Sequence, residues 1–434
     1  MDDRQPVPRR KKVVKKKKRS ASHTPATPDT ASPAPSTPDV ADDFLDDDEP
    51  TATAPADDNL DMPELPGDDE IVKSREVHIK DDFKYDVAFN FAFVGIGQGG
   101  ARVAQTFYRM GYKRVVVIDG AHQDLQDVDE GILKLDLETS GSAKDVSVGA
   151  ASVADRDEEI WQLLTEGVGV DVDYILCCGC LGGGTGSGAI HKVIEVSRRY
   201  VASLGRPARV GAIVSLPTKG EGQRTASNAV VMFEKLLQQS PAPLIIIDNQ
   251  RIADLFTVGV TRLYDKCNTQ TAKLFHLFNQ LAAQRSRLVT FDRAELADLL
   301  DRGIITFGAS PIKSTSTASD VAESIRRQLS ATSLAQVDLK TASGAGAIFV
   351  GSEAVLDEVP MDVLDGGFNM LNRLLREDSV LHRGVYIGSS TTLRCLTLIS
   401  GLEPPFERLK ELGTTGRVPT SSIAEHFGID NDTR

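Results

Sequence analysis

Long apolar runs are missing from this chain of 434 residues. Nowhere do about 18 apolar residues follow one another, the length a helix needs to cross a bilayer, so no membrane span is expected. The first residues carry no apolar core of the signal-peptide kind, and secretion is not expected either. Cysteine is scarce: there are five, an odd number in a long chain, which speaks against a disulfide scaffold and for a reducing, cytoplasmic setting. Cys177, Cys178 and Cys180 cluster, but no second Cys/His pair stands at zinc spacing, and they read as small buried apolar residues.

What is present suffices for packed cores, with 41% apolar residues and room for two domains and a tail. The net charge of −13 hides a split. Arg9-Arg10-Lys11-Lys12 and Lys15 to Arg19 form a basic block, while residues 20 to 70 are rich in Pro, Ala, Thr, Ser and Asp. Such a segment buries too little apolar surface to order itself, so residues 1–85 are expected to be a disordered tail. The expected ligand of the Arg9–Arg19 block is an anionic membrane, DNA or an acidic partner; the alternative is a solvated, solubilising tail.

The folded part opens at about Val87 with an apolar strand that runs into Gly95-Ile96-Gly97-Gln98-Gly99-Gly100. A second apolar run, Tyr174 to Cys178, leads into Gly182-Gly183-Gly184-Thr185-Gly186-Ser187-Gly188 and then a helical pattern through Tyr200. Strand, glycine loop and helix start together make an anion site, because glycines let backbone N–H groups turn inward and the helix dipole adds positive potential. Thr185 and Ser187 add hydroxyl donors. No Gly-Lys-Ser/Thr follows at Walker A spacing. The first loop satisfies GxGxxG, and Asp119 ends the next strand, so a nicotinamide- or flavin-dependent oxidoreductase is a serious rival. The second glycine loop favours a triphosphate gripped from two sides.

Further strands are expected at Arg114–Ile118, Arg209–Leu216 and Leu244–Ile247, with helices between, which implies a parallel sheet covered on both faces. Gln270–Gln284 reads as a long central helix. Beyond about Gly308 a smaller α+β unit follows, and from Glu403 onward a loosely attached tail. Glu221 can accept from ribose hydroxyls and Arg224 can face phosphates. The Asn249 amide, at a strand end, offers a donor and an acceptor suited to a guanine edge. Tyr264 and Asn268 share a helical face, where a ring can stack on a base while the amide reads its edge. Asp292 and Glu295, three apart at a helix start, are compatible with simple capping.

Taken in order, these segments resemble the tubulin/FtsZ family. The seven-residue loop 182–188 looks like that family's signature, and Ile96-Gly97-Gln98-Gly99-Gly100 is similar to its first nucleotide loop, which implies that Gln98 reaches the phosphates and magnesium. Ile118 to Gln123 resembles the following loop, with Ala121 where an acidic residue is often found. Ser140-Gly141-Ser142-Ala143-Lys144 sits at the place of a more glycine-rich γ-phosphate loop. Pro217, Glu221, Gly222 and Arg224 look like the ribose and phosphate segment, and Tyr264-x-x-x-Asn268 like the guanine clamp. The resemblance implies that Asp292 and Glu295 enter the next subunit's site, position the attacking water and help hold the cation, with Thr290 where asparagine is usual.

The implied fold is a Rossmann-like parallel-sheet GTPase domain (86–285) with its central helix, then a smaller α+β domain (286–402) and a C-terminal tail (403–434). The implied function is a cytoplasmic GTPase that binds GTP/GDP and Mg²⁺ and assembles with itself head to tail, serving cell division, DNA segregation or intracellular positioning. A nucleotide-binding structural subunit without turnover is the remaining alternative. The short adaptor-binding peptide of many division homologues is not recognisable at the C-terminus.

Overall fold

Alternating faces along short apolar runs set the architecture. The computed structural model describes residues 76–79, 83–85, 87–255, 260–332 and 334–418. Ten strands form one sheet: β3 Phe91–Ile96, β4 Val115–Asp119, β5 Leu133–Asp136, β6 Tyr174–Cys180, β7 Arg209–Leu216, β8 Leu244–Asp248, β9 Ile304–Pro311, β10 Gly344–Gly351, β11 Val380–Ile387 and β12 Arg394–Leu402. Their order is β11-β10-β12-β9-β8-β7-β6-β3-β4-β5. All pairings from β5 to β9 are parallel. On β3, Ala92, Val94 and Ile96 enter one core and Phe91 and Phe93 the other, the period-two signature of a sheet covered on both faces. Within this sheet the chain runs from β3 outward to β5, then returns past β3 to β6. That reversal between β3 and β6 is the switch point where open α/β sheets bind ligands at strand carboxyl ends.

The central helix spans Val260–Leu281, beginning ten residues ahead of the expected Gln270. Its Leu274, Phe275, Leu277, Phe278 and Leu281 are buried against the β3 Phe91 and Phe93 side. Phe93 stacks on Phe107 at 3.9 Å and meets Phe275 edge-on at 6.1 Å. Asn279 accepts from the Phe89 amide at 2.9 Å and donates to its carbonyl at 3.0 Å. The helix thereby takes the hydrogen bonds of Phe89, and β3 starts at Phe91 although the apolar run starts at Val87.

Three other expectations are corrected. The boundary near Gly308 falls inside β9, where Gly308 pairs with Thr397 of β12; its Gly-Ala-Ser-Pro composition imitates a linker in a strand that is flanked on both sides. β9 also pairs with β8 at Leu244↔Ile304 and Ile245↔Ile305, so the two halves share one sheet. Residues from Glu403 are no loose tail as far as Val418. Phe406–Gly416 is a helix with Leu409 and Leu412 buried, and Gly416 lies so close to Ser227 that a Cβ would meet its amide at 2.6 Å.

Within the stretch read as tail, β1 Glu76–Ile79 and β2 Phe83–Tyr85 pair antiparallel. The basic block Arg9–Arg19, like residues 419–434, lies outside the described residues. Among the described residues no helix is long and apolar enough to cross a membrane.

Candidate functional site

Both glycine loops open onto one cavity at the carboxyl ends of β3 and β6. The cavity, about 510 Å³, is lined by Gly97, Gln98 and Gly99 from the first loop and by Gly182, Gly183, Gly184, Thr185 and Gly186 from the second. Helix Gly97–Met110 starts directly after β3, and helix Thr185–Ser203 starts at Thr185, so two helix N-termini face the same space. The loops touch. Gly97 has φ +65°, and a Cβ there would stand 2.8 Å from the Gly186 amide, so only glycine permits this approach.

The far wall carries Glu221, Asn249, Tyr264 and Asn268. Asn249 and Asn268 are buried, and among the described residues their amides make no side-chain hydrogen bond. Those edges are available to a ligand. The Glu221 carboxylate accepts from the Thr218 amide at 2.7 Å, which fixes the turn that presents it.

Three residues expected at the site do not line the cavity. Gly100 backs onto β6, where a Cβ would stand 2.0 Å from the Cys178 carbonyl oxygen, so it serves helix–strand contact. Ser187 is fully buried and donates to the Cys180 carbonyl at 3.1 Å. Arg224 pairs with Asp145 at 2.8 Å on the exposed side, and its neighbour Thr225 faces the cavity instead. The one-residue difference follows from the helix that starts at Gln223, because consecutive helical residues point about 100° apart.

Asp119, which closes the dinucleotide fingerprint, and Lys144, from the segment at the place of the γ-phosphate loop, line the cavity as well, and so do Arg102 and Asp124, to which sequence reading assigned no binding role. Arg102 stands four residues after Gln98, on the same helical face, a spacing that could have found it. Asp124 accepts from the Gln98 side-chain amide at 2.8 Å. Asp119 is 2% exposed. Its Oδ1 accepts from the Gly120 amide at 2.7 Å, while Oδ2 has no partner. Burial, with smaller contributions from the like charges of Asp124 and Asp136, raises its pKa to about 6 despite the two backbone N–H groups that oppose the shift.

The acidic pair lies elsewhere. Asp292 caps helix Arg293–Leu300; its Oδ1 accepts from the Ala294 and Glu295 amides at 2.8 and 2.9 Å, and Glu295 Oε2 accepts from the Asp292 amide at 2.9 Å. Glu295 Oε1 also lies 3.2 Å from His382 Nδ1. Arg293 reaches Asp173, the residue before β6, at 3.2 Å. The pair therefore sits at the amino ends of the parallel strands, and the cavity at their carboxyl ends. Seven residues of β6 separate the two, about 20 Å at roughly 3.3 Å per residue.

Fold and cavity define an open, doubly wound α/β protein of the nucleotide-binding type, with two glycine loops at its switch point. The family model for the Tubulin/FtsZ family GTPase domain matches residues 90–257. The chain is 24% identical over 272 residues to cell division protein FtsZ 1 of Pyrococcus woesei, covering 61% of this chain and 70% of that protein. It is 23% identical over 254 residues to the tubulin-like protein TubZ of Bacillus cereus, covering 53% and 57% of the two chains. A GTPγS-bound protofilament of CetZ2 from Haloferax volcanii superposes with a TM-score of 0.65 at 20% identity, over 77% of this chain and 99% of that one. Over residues 90–257 the chain matches the GTPase domain of the tubulin/FtsZ family, and it is similar to divergent members of that family of cytoskeletal GTPases.

Proposed function

We propose that this chain binds GTP in the cavity and hydrolyses it only after head-to-tail assembly, when the acidic loop of one subunit meets the nucleotide of the next. One observation carries the reading: the cavity and the Asp292/Glu295 pair occupy opposite ends of the same parallel strands. Carboxylates about 20 Å from the glycine loops cannot act on their own cavity. A heterologous contact that brings one edge onto the other propagates into an open filament. The CetZ2 neighbour is itself described as a GTPγS-bound protofilament.

In this reading the amides of Gly97–Gly99 and Gly182–Gly186, with the two helix N-termini, hold the phosphates. Tyr264 stacks on the base, Asn249 and Asn268 read its edge, and Glu221 accepts from the ribose. Among the described residues no cluster of three His, Cys, Asp or Glu side chains gathers as a ready metal site, but Asp119 keeps a buried, unpartnered carboxylate oxygen beside Asp124 in the cavity. Those two carboxylates fit a Mg²⁺ that arrives with the nucleotide and would neutralise phosphate charge. Asp292 and Glu295 of the neighbouring copy would orient the attacking water and receive its proton.

The test is complementation. Gly184→Val should abolish nucleotide binding, since a Cβ at Gly184 already meets Ser142 Oγ at 2.2 Å. Asp292→Asn with Glu295→Gln should bind GTP, assemble and turn over at least about 100-fold more slowly. Co-assembled, the two defective chains should recover phosphate release, and wild-type turnover per chain should rise through an assembly threshold. Turnover that is flat with concentration, without recovery on mixing, would place the active site in one chain; assembly with no phosphate release would leave a structural subunit.

A further inference from the structure

We propose that the C-terminal helix Phe406–Gly416 is part of the nucleotide site, and that its Arg408 is a positioning residue for the wall that faces base and ribose. This inference rests on the nucleotide reading of the cavity and deepens it, by naming the element that governs how well the nucleoside is read.

Two segments carry that wall. β7 and β8 end level, with Leu216 paired to Asp248, so the segments that follow leave the sheet side by side. After β7 comes Pro217 and then the turn of Glu221, whose carboxylate accepts from the Thr218 amide at 2.7 Å and from its hydroxyl at 3.2 Å. After Asp248 comes the short helix Asn249–Leu255, and Asp248 Oδ1 accepts from the Gln250 amide at its start, at 3.1 Å. The Lys219 amide donates to Gln250 Oε1 at 2.9 Å, which joins the two segments.

One guanidinium holds both. Arg408 Nε donates to Asp248 Oδ1 at 3.1 Å, Nη2 donates to the Pro217 carbonyl, and Nη1 donates to Glu411 Oε2 at 2.8 Å. Glu411 in turn pairs with the Lys219 ammonium at 2.7 Å. The helix that carries Arg408 and Glu411 is seated on helix Gln223–Gln239, where Gly416 lies against Ser227. Arg408 and Asp248 are buried, yet neither lines the cavity. They therefore reach a nucleotide only through the adjoining Asn249 and Glu221. A planar fork spans a carboxylate and a carbonyl at once, whereas a lysine ammonium is a single point charge. Without the fork the Pro217 carbonyl and the Asp248 carboxylate are left buried and unpaired, and the turns that present Glu221 and Asn249 move to find new partners. Among the described residues no hydrogen bond of this network reaches the glycine loops, so the phosphate grip should outlast the loss of the nucleoside grip.

The experiment uses the full chain with Mg²⁺ and measures the affinities of GDP, ADP and 2′-deoxy-GDP by competition against fluorescent GDP. All three carry the same diphosphate, so their ratios report the reading of base and ribose apart from phosphate binding. The double variant Arg408→Met with Asp248→Asn removes the fork and strands no charge. Its GDP-over-ADP and GDP-over-2′-deoxy-GDP ratios should both fall at least about fivefold. Leu371→Ala, which opens a cavity in the core beneath the second half of the sheet, should lose stability and keep both ratios. Unless both ratios fall in the double variant, Arg408 is a structural ion pair and the proposal is overturned while the nucleotide reading stands. A wild type that binds neither GDP nor ADP would overturn both. Should urea unfolding show that the double variant does not fold, Arg408→Lys takes its place. It keeps a charge for Asp248 and releases the Pro217 carbonyl, so its ribose ratio should fall at least about threefold, and an unchanged ratio there overturns the proposal as well.

Discussion

Replacing Asp119 by Asn should make the nucleotide-free protein more stable and its nucleotide site worse. The carboxylate is buried at the end of β4 with Oδ2 unpartnered. Its pKa is raised from 3.8 to about 6, first by desolvation. Roughly two units at 1.36 kcal/mol each correspond to about 2–3 kcal/mol. The sign follows from the direction of the shift. Between pH 4 and 6 the folded state binds more protons than the unfolded one, so this group's contribution is fully present below pH 3.8 and is lost as pH rises through 6. Asparagine keeps an acceptor for the Gly120 and Ala121 amides and never ionises. In urea titrations without nucleotide and with EDTA, Asp119→Asn should exceed wild type by about 2–3 kcal/mol at pH 7.5, and the gain should shrink toward zero near pH 4. With Mg²⁺ present the same variant should bind GTP at least about tenfold more weakly, because a charged acceptor is gone. An equal midpoint at pH 7.5, or a gain that persists unchanged at pH 4, would refute the reasoning.

Two further outcomes follow from the C-terminal helix and the tail. Arg408→Met should cost about 3–5 kcal/mol in urea unfolding, because it strands a buried Asp248 that Arg408 now meets at 3.1 Å; adding Asp248→Asn should recover part of the loss. If the Arg9–Arg19 block binds anionic vesicles or DNA, that binding should weaken steeply with salt, and deleting residues 1–70 should abolish it and leave assembly intact; co-sedimentation at two ionic strengths reads both, and no change on deletion would leave a solubilising tail.

Legibility followed the kind of signal each element carries. Both glycine loops, their strands and the Tyr264/Asn268 face were readable, because apolar runs, glycine spacing and an i,i+4 pair are local properties. β5 was not: Leu133-Lys134-Leu135-Asp136 is a four-residue edge strand with half-exposed side chains, too short to show a period. β9 was cut at Gly308 because small residues within a flanked strand look like a linker until the neighbouring strands are known. The docked helix Phe406–Gly416 was missed because its one decisive polar residue, Arg408, is buried through long-range bonds to Asp248 and the Pro217 carbonyl. Cavity-lining Asp124 and Thr225, and the unpartnered oxygen of Asp119, belong to the same group. A charge at a strand end says nothing about whether its second oxygen has a partner, and adjacent Arg224 and Thr225 are separated only by where their helix begins.

Under the proposed mechanism, capping and chemistry are not alternatives for the acidic pair. Asp292 spends Oδ1 on the Ala294 and Glu295 amides, while its other oxygen takes no hydrogen bond among the described residues. Glu295 has both oxygens engaged, by the Asp292 amide and by His382. The loop before them is strapped to β11, with Val289 bridging Val385 and the Tyr386 hydroxyl accepting from the Phe291 amide at 2.9 Å. A cap held this way fixes Asp292 in place before any neighbour arrives, which is what preorganised catalysis requires. Asparagine caps helices as well as aspartate does, whereas alanine loses about 1 kcal/mol. Asp292→Asn should therefore keep wild-type stability to within about 0.5 kcal/mol and still lose assembly-dependent turnover, and Asp292→Ala should lose both. Stability comes from urea unfolding and turnover from phosphate release under assembly conditions. If Asp292→Asn keeps full turnover, the residue is a cap and nothing more.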